Sequence, residues 1–281
     1  MAKGPLDRTC LSYRAFPGGR GCLVLFHGFL TSHHYFSGPL GGRLGPFRLV
    51  LPDLLGFGDS AKPELDYTLE DHLACLLDLA KEEGRPEPLF LGGHSLGCLL
   101  ATALAARLPE GRVAGLVFLN YPRFTSGGHV HATLRSGSPE YKRATDGVEA
   151  GGDEAIIGAS GDMVHQFAAL LPPALHGEAR RTSPVAMAGT TRHCLFAYRP
   201  DADLDTIAAV PMLHIHGALD RVAPADHIWE RAKDLTKARW VLLKDGGHHL
   251  LHTHTEAVAP EILRFLEDVS EACPNPSVDE P

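Results

Sequence analysis

Leu89-Phe90-Leu91-Gly92-Gly93-His94-Ser95-Leu96-Gly97-Cys98-Leu99-Leu100-Ala101 passes from one kind of order to another within a single turn. Its opening is a continuous apolar run, the pattern of a strand covered on both faces. From 96 to 108 the chain is rich in Ala and Leu, a helical composition, and it stops at Pro109, which cannot continue a helix. Between them lies Gly93-His94-Ser95-Leu96-Gly97, whose small residues let a strand and a helix approach closely. A strand that runs through a glycine turn directly into a helix predicts a parallel α/β arrangement.

The same unit recurs on both sides. Leu23-Val24-Leu25-Phe26, Leu49-Val50-Leu51 and the apolar run over 113–119 predict further buried strands, as do 212–216 and 240–243 late in the chain. Residues 69–81 place apolar side chains at Leu69, Leu73, Leu76, Leu77 and Ala80, a 3.6-residue period, and 257–269 repeats it through Ile262, Leu263, Phe265 and Leu266. Between residues 121 and 209 the strand rhythm disappears into glycine-rich loops and short helical patterns. A stretch of that length cannot be one structureless loop, so an inserted helical subdomain is expected. The expected organisation is therefore a core over 1–121 and 203–270, a helical cap (lid) over 122–202, and a flexible tail over 271–281.

Composition narrows the function. The chain has 281 residues, 44% hydrophobic and 21% charged, as an ordinary globular protein does. A net charge of -8 with scattered Lys and Arg leaves nothing to neutralise phosphates, which argues against nucleic acid. The first 20 residues lack an apolar export segment, and no apolar run approaches the roughly 20 residues that span a bilayer, so no membrane contact is expected. The six cysteines show no close paired spacing and several sit in apolar patterns; buried free thiols in a reducing, cytoplasmic setting are the expectation.

Chemistry is carried by three loops. A serine hydroxyl is a poor nucleophile until a base takes its proton, and Ser95 sits where a strained turn would expose it above a helix N-terminus. A base is available in Asp245-Gly246-Gly247-His248-His249, after the last strand pattern, where the glycine pair lets the chain turn tightly; His248 is preferred to His249. An acid that holds the imidazole follows the penultimate strand in His216-Gly217-Ala218-Leu219-Asp220; Asp220 is preferred to Asp226, which begins the next helical stretch, and to Asp245, too near His248 in sequence. Asn120, at the end of the strand over 113–119, cannot serve as a charged acid. The order nucleophile, acid, base matches that expected of this turn. Backbone N–H groups of Leu96 and of Phe29, with Leu30 second, are the expected oxyanion donors. His27, Gly28 and His94 flank them and are expected to border bound substrate, with Met163 and Phe167 of the insertion as acyl contacts.

His27-Gly28-Phe29, Asp53-Leu54-Leu55-Gly56-Phe57-Gly58-Asp59-Ser60, Gly93-His94-Ser95-Leu96-Gly97, Gly217-Ala218-Leu219-Asp220 and Gly247-His248 together resemble the α/β-hydrolase superfamily, in its order and across about residues 22–266. The chain looks like the capped carboxylesterases, lactonases and carbon–carbon bond hydrolases of that group. The resemblance implies a mostly parallel central sheet flanked by helices, a lid inserted after the sixth family strand, and no cofactor. Only residues 10–16 precede the first strong strand, so the opening hairpin is expected to be shortened.

Two other signals carry less. Gly56-Phe57-Gly58-Asp59-Ser60-Ala61 spells a dinucleotide fingerprint, but Lys62-Pro63 breaks the chain where a helix should open. His214-x-His216 places two imidazoles on one strand face without a coherent further ligand set, so no metal is expected. The expected activity is hydrolysis of a small carboxylic ester, thioester or lactone through an acyl-serine, on a small-molecule acyl substrate, by a monomer or homodimer. The same triad could serve carbon–carbon cleavage or a lyase step, and a ligand receptor on this scaffold is the non-enzymatic alternative.

Overall fold

The computed structural model describes residues 10–83, 87–137, 142, 168 and 171–272. Seven strands form one sheet: β1 (Tyr13–Phe16), β2 (Cys22–Phe26), β3 (Arg48–Pro52), β4 (Leu89–His94), β5 (Val113–Leu119), β6 (Met212–Gly217) and β7 (Ala238–Leu243). Their order is β1-β3-β2-β4-β5-β6-β7, antiparallel only where β1 meets β3 and parallel throughout the rest. Every strand read from an apolar run is present. β1 is the one strand ahead of β2 among the described residues, the shortened opening that the sequence implied.

Alternation within the strands explains two cores. Val24, Phe26, Leu89, Leu91, Leu116 and Phe118 face one hydrophobic layer, while Leu23, Leu25, Phe90, Val117, Leu119, Leu213 and Ile215 face the other. A sheet covered on both faces needs apolar residues at both parities, so its strands read as unbroken runs. The first layer is roofed by α2 (Leu69–Glu83) and α3 (Leu96–Arg107), the second by α1 (His34–Leu40) and the last helix, Thr255–Ala272. α3 is buried from Leu96 to Ala105, which accounts for its nearly all-apolar sequence.

Between β5 and β6 the chain leaves the sheet and forms a helical region. It contains α4 (Gly127–Gly137), α5 (Pro184–Thr190), a stretch of wider π-type turns over Thr191–Ala197 and α6 (Asp201–Thr206). The Ser183 hydroxyl caps α5 by accepting from the N–H of Ala186, and Pro184 occupies the first turn, where a missing N–H costs nothing. None of the helices among the described residues is long and apolar enough to cross a membrane.

One expectation is corrected. Cys10 and Cys75 are joined as a disulfide, their Cα atoms 6.4 Å apart, while Cys22, Cys98 and Cys194 are free and buried. The pair lies 65 residues apart in sequence. It meets only because residue 10 folds back onto α2, and no local spacing signals that. With the bridge formed, the cysteines no longer argue for a reducing compartment.

Candidate active site

The candidate groups among the described residues lie at the carboxyl ends of parallel strands, where an open α/β sheet presents its loops. Ser95 follows β4 and takes φ 51° and ψ −119°, a conformation few L residues adopt. The neighbouring glycines permit it. A Cβ on Gly93 would lie 2.4 Å from the backbone of Gly97, and one on Gly97 would lie 1.8 Å from the Phe26 carbonyl oxygen. Strand, turn and helix touch backbone to backbone, so the small residues of this motif are sterically required.

Ser95 Oγ–H donates to His248 Nε2 at 3.1 Å, and His248 Nδ1–H donates to Asp220 Oδ2 at 2.8 Å. Asp220 Oδ1 accepts the N–H groups of Val222 at 2.8 Å and Ala223 at 2.9 Å. Burial drives the Asp220 carboxyl toward its neutral form. The adjoining His248, the Ala223 N–H and His216 outweigh this and hold it below the ordinary carboxylate range. The loops carrying acid and base are pressed together at Gly217, where a Cβ would lie 2.3 Å from the Gly246 carbonyl oxygen, and the Leu219 N–H donates to that same carbonyl at 2.8 Å. The structure thus brings Ser95, Asp220 and His248 into one relay. His249, the competing imidazole, lies partly buried beside it, with its basicity pushed down to about 3 by desolvation and by His248.

Leu96 opens α3 directly after the nucleophile, where first-turn N–H groups have no intrahelical partner. Phe29 lies in the turn after β2. Gly28 closes that turn against His94, since a Cβ there would meet His94 Nδ1 at 2.6 Å. Leu30, next in the turn, takes φ 58°. Three of the four non-glycine residues with positive φ among those described, Leu30, Ser95 and Asn120, surround this relay, and local strain of this kind collects at working sites.

The residues expected to border substrate have structural partners. His27 is buried; its Nε2 accepts the Leu54 N–H at 2.9 Å and its Nδ1–H donates to the Gly28 carbonyl at 2.8 Å, so it ties the loop after β3 to the loop after β2. His94 is buried, stacks on Tyr35 with ring centroids 4.2 Å apart, and donates Nε2–H to the His248 carbonyl at 2.7 Å. Burial, with His248 and His249 close by, holds the His94 imidazole neutral far below its usual range. It braces His248 rather than facing outward. Met163 and Phe167 lie outside the described residues.

Sequence reasoning missed Asn120 as a participant. It also missed a charged cluster at the border with the inserted region. There Glu178 accepts from Ser32 Oγ at 2.5 Å and Arg181 at 3.0 Å and pairs with His34, while Arg181 also pairs with Asp59. Asp53, buried at the end of β3, accepts from the N–H and ring of His33 and the N–H of Asp59; these bonds and His27 overcome burial and hold it ionised far into acid. Among the described residues no three His, Cys, Asp or Glu side chains gather as metal ligands.

A family model described as "Alpha/beta hydrolase family" matches residues 23–261. Among curated proteins, a haloalkane dehalogenase of Mesorhizobium japonicum is 39% identical over 121 residues, 42% of this chain and 38% of that protein. Lipase 1 of Psychrobacter immobilis is 36% identical over 89 residues, 31% of this chain and 28% of the lipase. The chain therefore spans well under half the length of the curated relatives it matches. Among solved structures, an esterase from Exiguobacterium antarcticum superposes with a TM-score of 0.73 over 92% of this chain and 95% of that one, at 16% identity, a likeness of fold.

Proposed function

We propose that this chain, which belongs to the alpha/beta hydrolase family, hydrolyses a small carboxylic ester, thioester or lactone through an acyl intermediate on Ser95. The observation that carries this reading is the unbroken relay from Ser95 Oγ through His248 to Asp220, at 3.1 and 2.8 Å. As the hydroxyl attacks the acyl carbon, His248 Nε2 takes its proton. The N–H groups of Leu96 and Phe29 receive the negative charge that develops on the carbonyl oxygen. His248 then gives the proton to the leaving group, and Asp220, kept ionised, stabilises the imidazolium throughout. Water attacks the acyl-serine with His248 again as base, releasing acid and free enzyme. The inserted region, taken as 122–202, is assigned to selecting the acyl chain.

Dehalogenation, the activity named for one relative, fits these residues less well. A serine oxygen that displaced a halide would become an alkyl ether, which an imidazole and water do not cleave. The ester formed by acyl transfer is turned over by the same base. The test is Ser95→Ala against short p-nitrophenyl esters, with fluorophosphonate labelling of the wild type. The expected loss in kcat is about a million-fold; undiminished turnover, or a label on another residue, would overturn the mechanism.

A further inference from the structure

Asn120 follows β5, and its side chain stands between the loops that carry the acid and the base. Nδ2 donates to Asp220 Oδ2 at 2.5 Å and to the Gly247 carbonyl at 3.2 Å. Both amide hydrogens are used: one on the oxygen that His248 also addresses, the other on the residue before His248. The opposite amide orientation would set Oδ1 against a carboxylate, so the hydrogen bonds themselves fix which end faces Asp220. The backbone N–H of Asn120 donates to the Ile215 carbonyl at 3.0 Å, anchoring the residue to β6, the strand that leads to Asp220.

Two features of Asn120 work against stability. Its φ of 53° lies in the left-handed region, and its Oδ1 is buried with no hydrogen-bond partner among the described residues. A residue serving the fold alone gains nothing from this combination, because glycine would relieve both. We infer that Asn120 is a positioning residue: it bridges the acid and base loops and shares the negative charge of Asp220 Oδ2. That keeps the carboxylate turned to His248 and the two loops in register. The inference rests on the roles given above to Ser95, Asp220 and His248.

Asn120→Gly accepts the positive φ and deletes the amide; Asn120→Asp keeps the size and replaces the donor by a second carboxyl. On a p-nitrophenyl ester that the wild type turns over, Asn120→Gly is expected to lower kcat about 10- to 100-fold, the value of a hydrogen bond to a charged group. KM should change little and the melting temperature should not fall. With its charge undivided, Asp220 favours the imidazolium more, so the acid limb of the pH profile moves to higher pH. In Asn120→Asp the two carboxyls share one proton, which keeps a donor on Asp220 Oδ2, so the limb moves less than in Asn120→Gly; the His248 Nδ1–H proton resonance, which needs no substrate, shifts in both variants. An Asn120→Gly enzyme with wild-type kcat, pH profile and Nδ1–H resonance overturns the inference. So does a loss of activity that follows a lowered melting temperature while the acid limb stays in place. A wild type that neither turns over esters nor labels at Ser95 overturns the hydrolase reading instead, and the resonance then still decides the role of Asn120.

Discussion

The surroundings of Ser95 and the border of the inserted region are fastened by partly different means. Around Ser95, backbones touch, Gly97 against Phe26 and Gly217 against Gly246, and Gly28 packs on the His94 ring. Where the inserted region meets the loops after β2 and β3, two backbone contacts, Ser183 N–H to the Gly56 carbonyl at 2.9 Å and Gly189 against Asp66, are joined by long side chains, with Glu178 and Arg181 reaching Ser32, His34 and Asp59. Backbone contacts have no rotamers to lose and hold position to tenths of an ångström, the tolerance that proton transfer demands. Charged side chains near solvent are screened and each contributes little. The difference lies in the share of side-chain contact: the surroundings of Ser95 are fixed by backbone, while Glu178 and Arg181 form the adjustable part of the other border.

The sharpest way to break this contrast is Gly97→Ala. Its methyl group would sit 1.8 Å from the Phe26 oxygen, and that atom is strand backbone with nowhere to retreat. The expected cost exceeds about 4 kcal/mol, read from urea unfolding, with loss of turnover.

Acid should act next. Buried His72 is pushed down to about 4, and His214 and His249 to about 3, chiefly by burial. Each stays neutral in the folded chain and protonates in the unfolded one below about 6.5, so the unfolded state binds the extra protons. Stability is therefore lost as pH falls below about 6.5, by about 1.4 kcal/mol per pH unit for each such histidine until its folded value is reached. His214 stacks on Trp240 with both ring nitrogens unpartnered. His214→Phe should leave stability near neutrality almost unchanged and flatten the acid slope by one histidine. An unchanged slope would remove His214 from this account.

The smallest effect belongs to the cap contacts. Glu178→Gln should change stability by about 1 kcal/mol or less, with the difference shrinking in high salt. Fluorophosphonate labelling of Ser95 should keep its wild-type rate while KM shifts several-fold. A large fall in labelling rate would show that the cap border and the nucleophile are one rigid unit.

What could be read from the sequence follows the same division. The strands, the helical insertion and the residues that meet as Ser95, Asp220 and His248 are written in local patterns: apolar runs, glycine turns and their order along the chain. Asn120 cannot be a charged acid, and its residue type alone gives no sign of a role. Its contribution is two donated hydrogen bonds, and only the folded distance between β5 and β6 reveals that. The Glu178 and Arg181 pairs and the Cys10–Cys75 bridge join residues far apart in the chain, with no periodicity to betray them. His94 neighbours Ser95, and His27 and Gly28 neighbour Phe29, but adjacency in sequence does not reveal that His27 and His94 are spent on holding loops.

The crowding at Gly217 and Gly246 has a consequence for how this protein can change over time. Neither glycine has a side chain left to shorten, so the lengths of the two segments they belong to are tied together. Adding one residue to either would displace the carboxylate or the imidazole by about 3.5 Å, a step as large as the gaps they bridge. Insertions and deletions there should survive only as matched pairs.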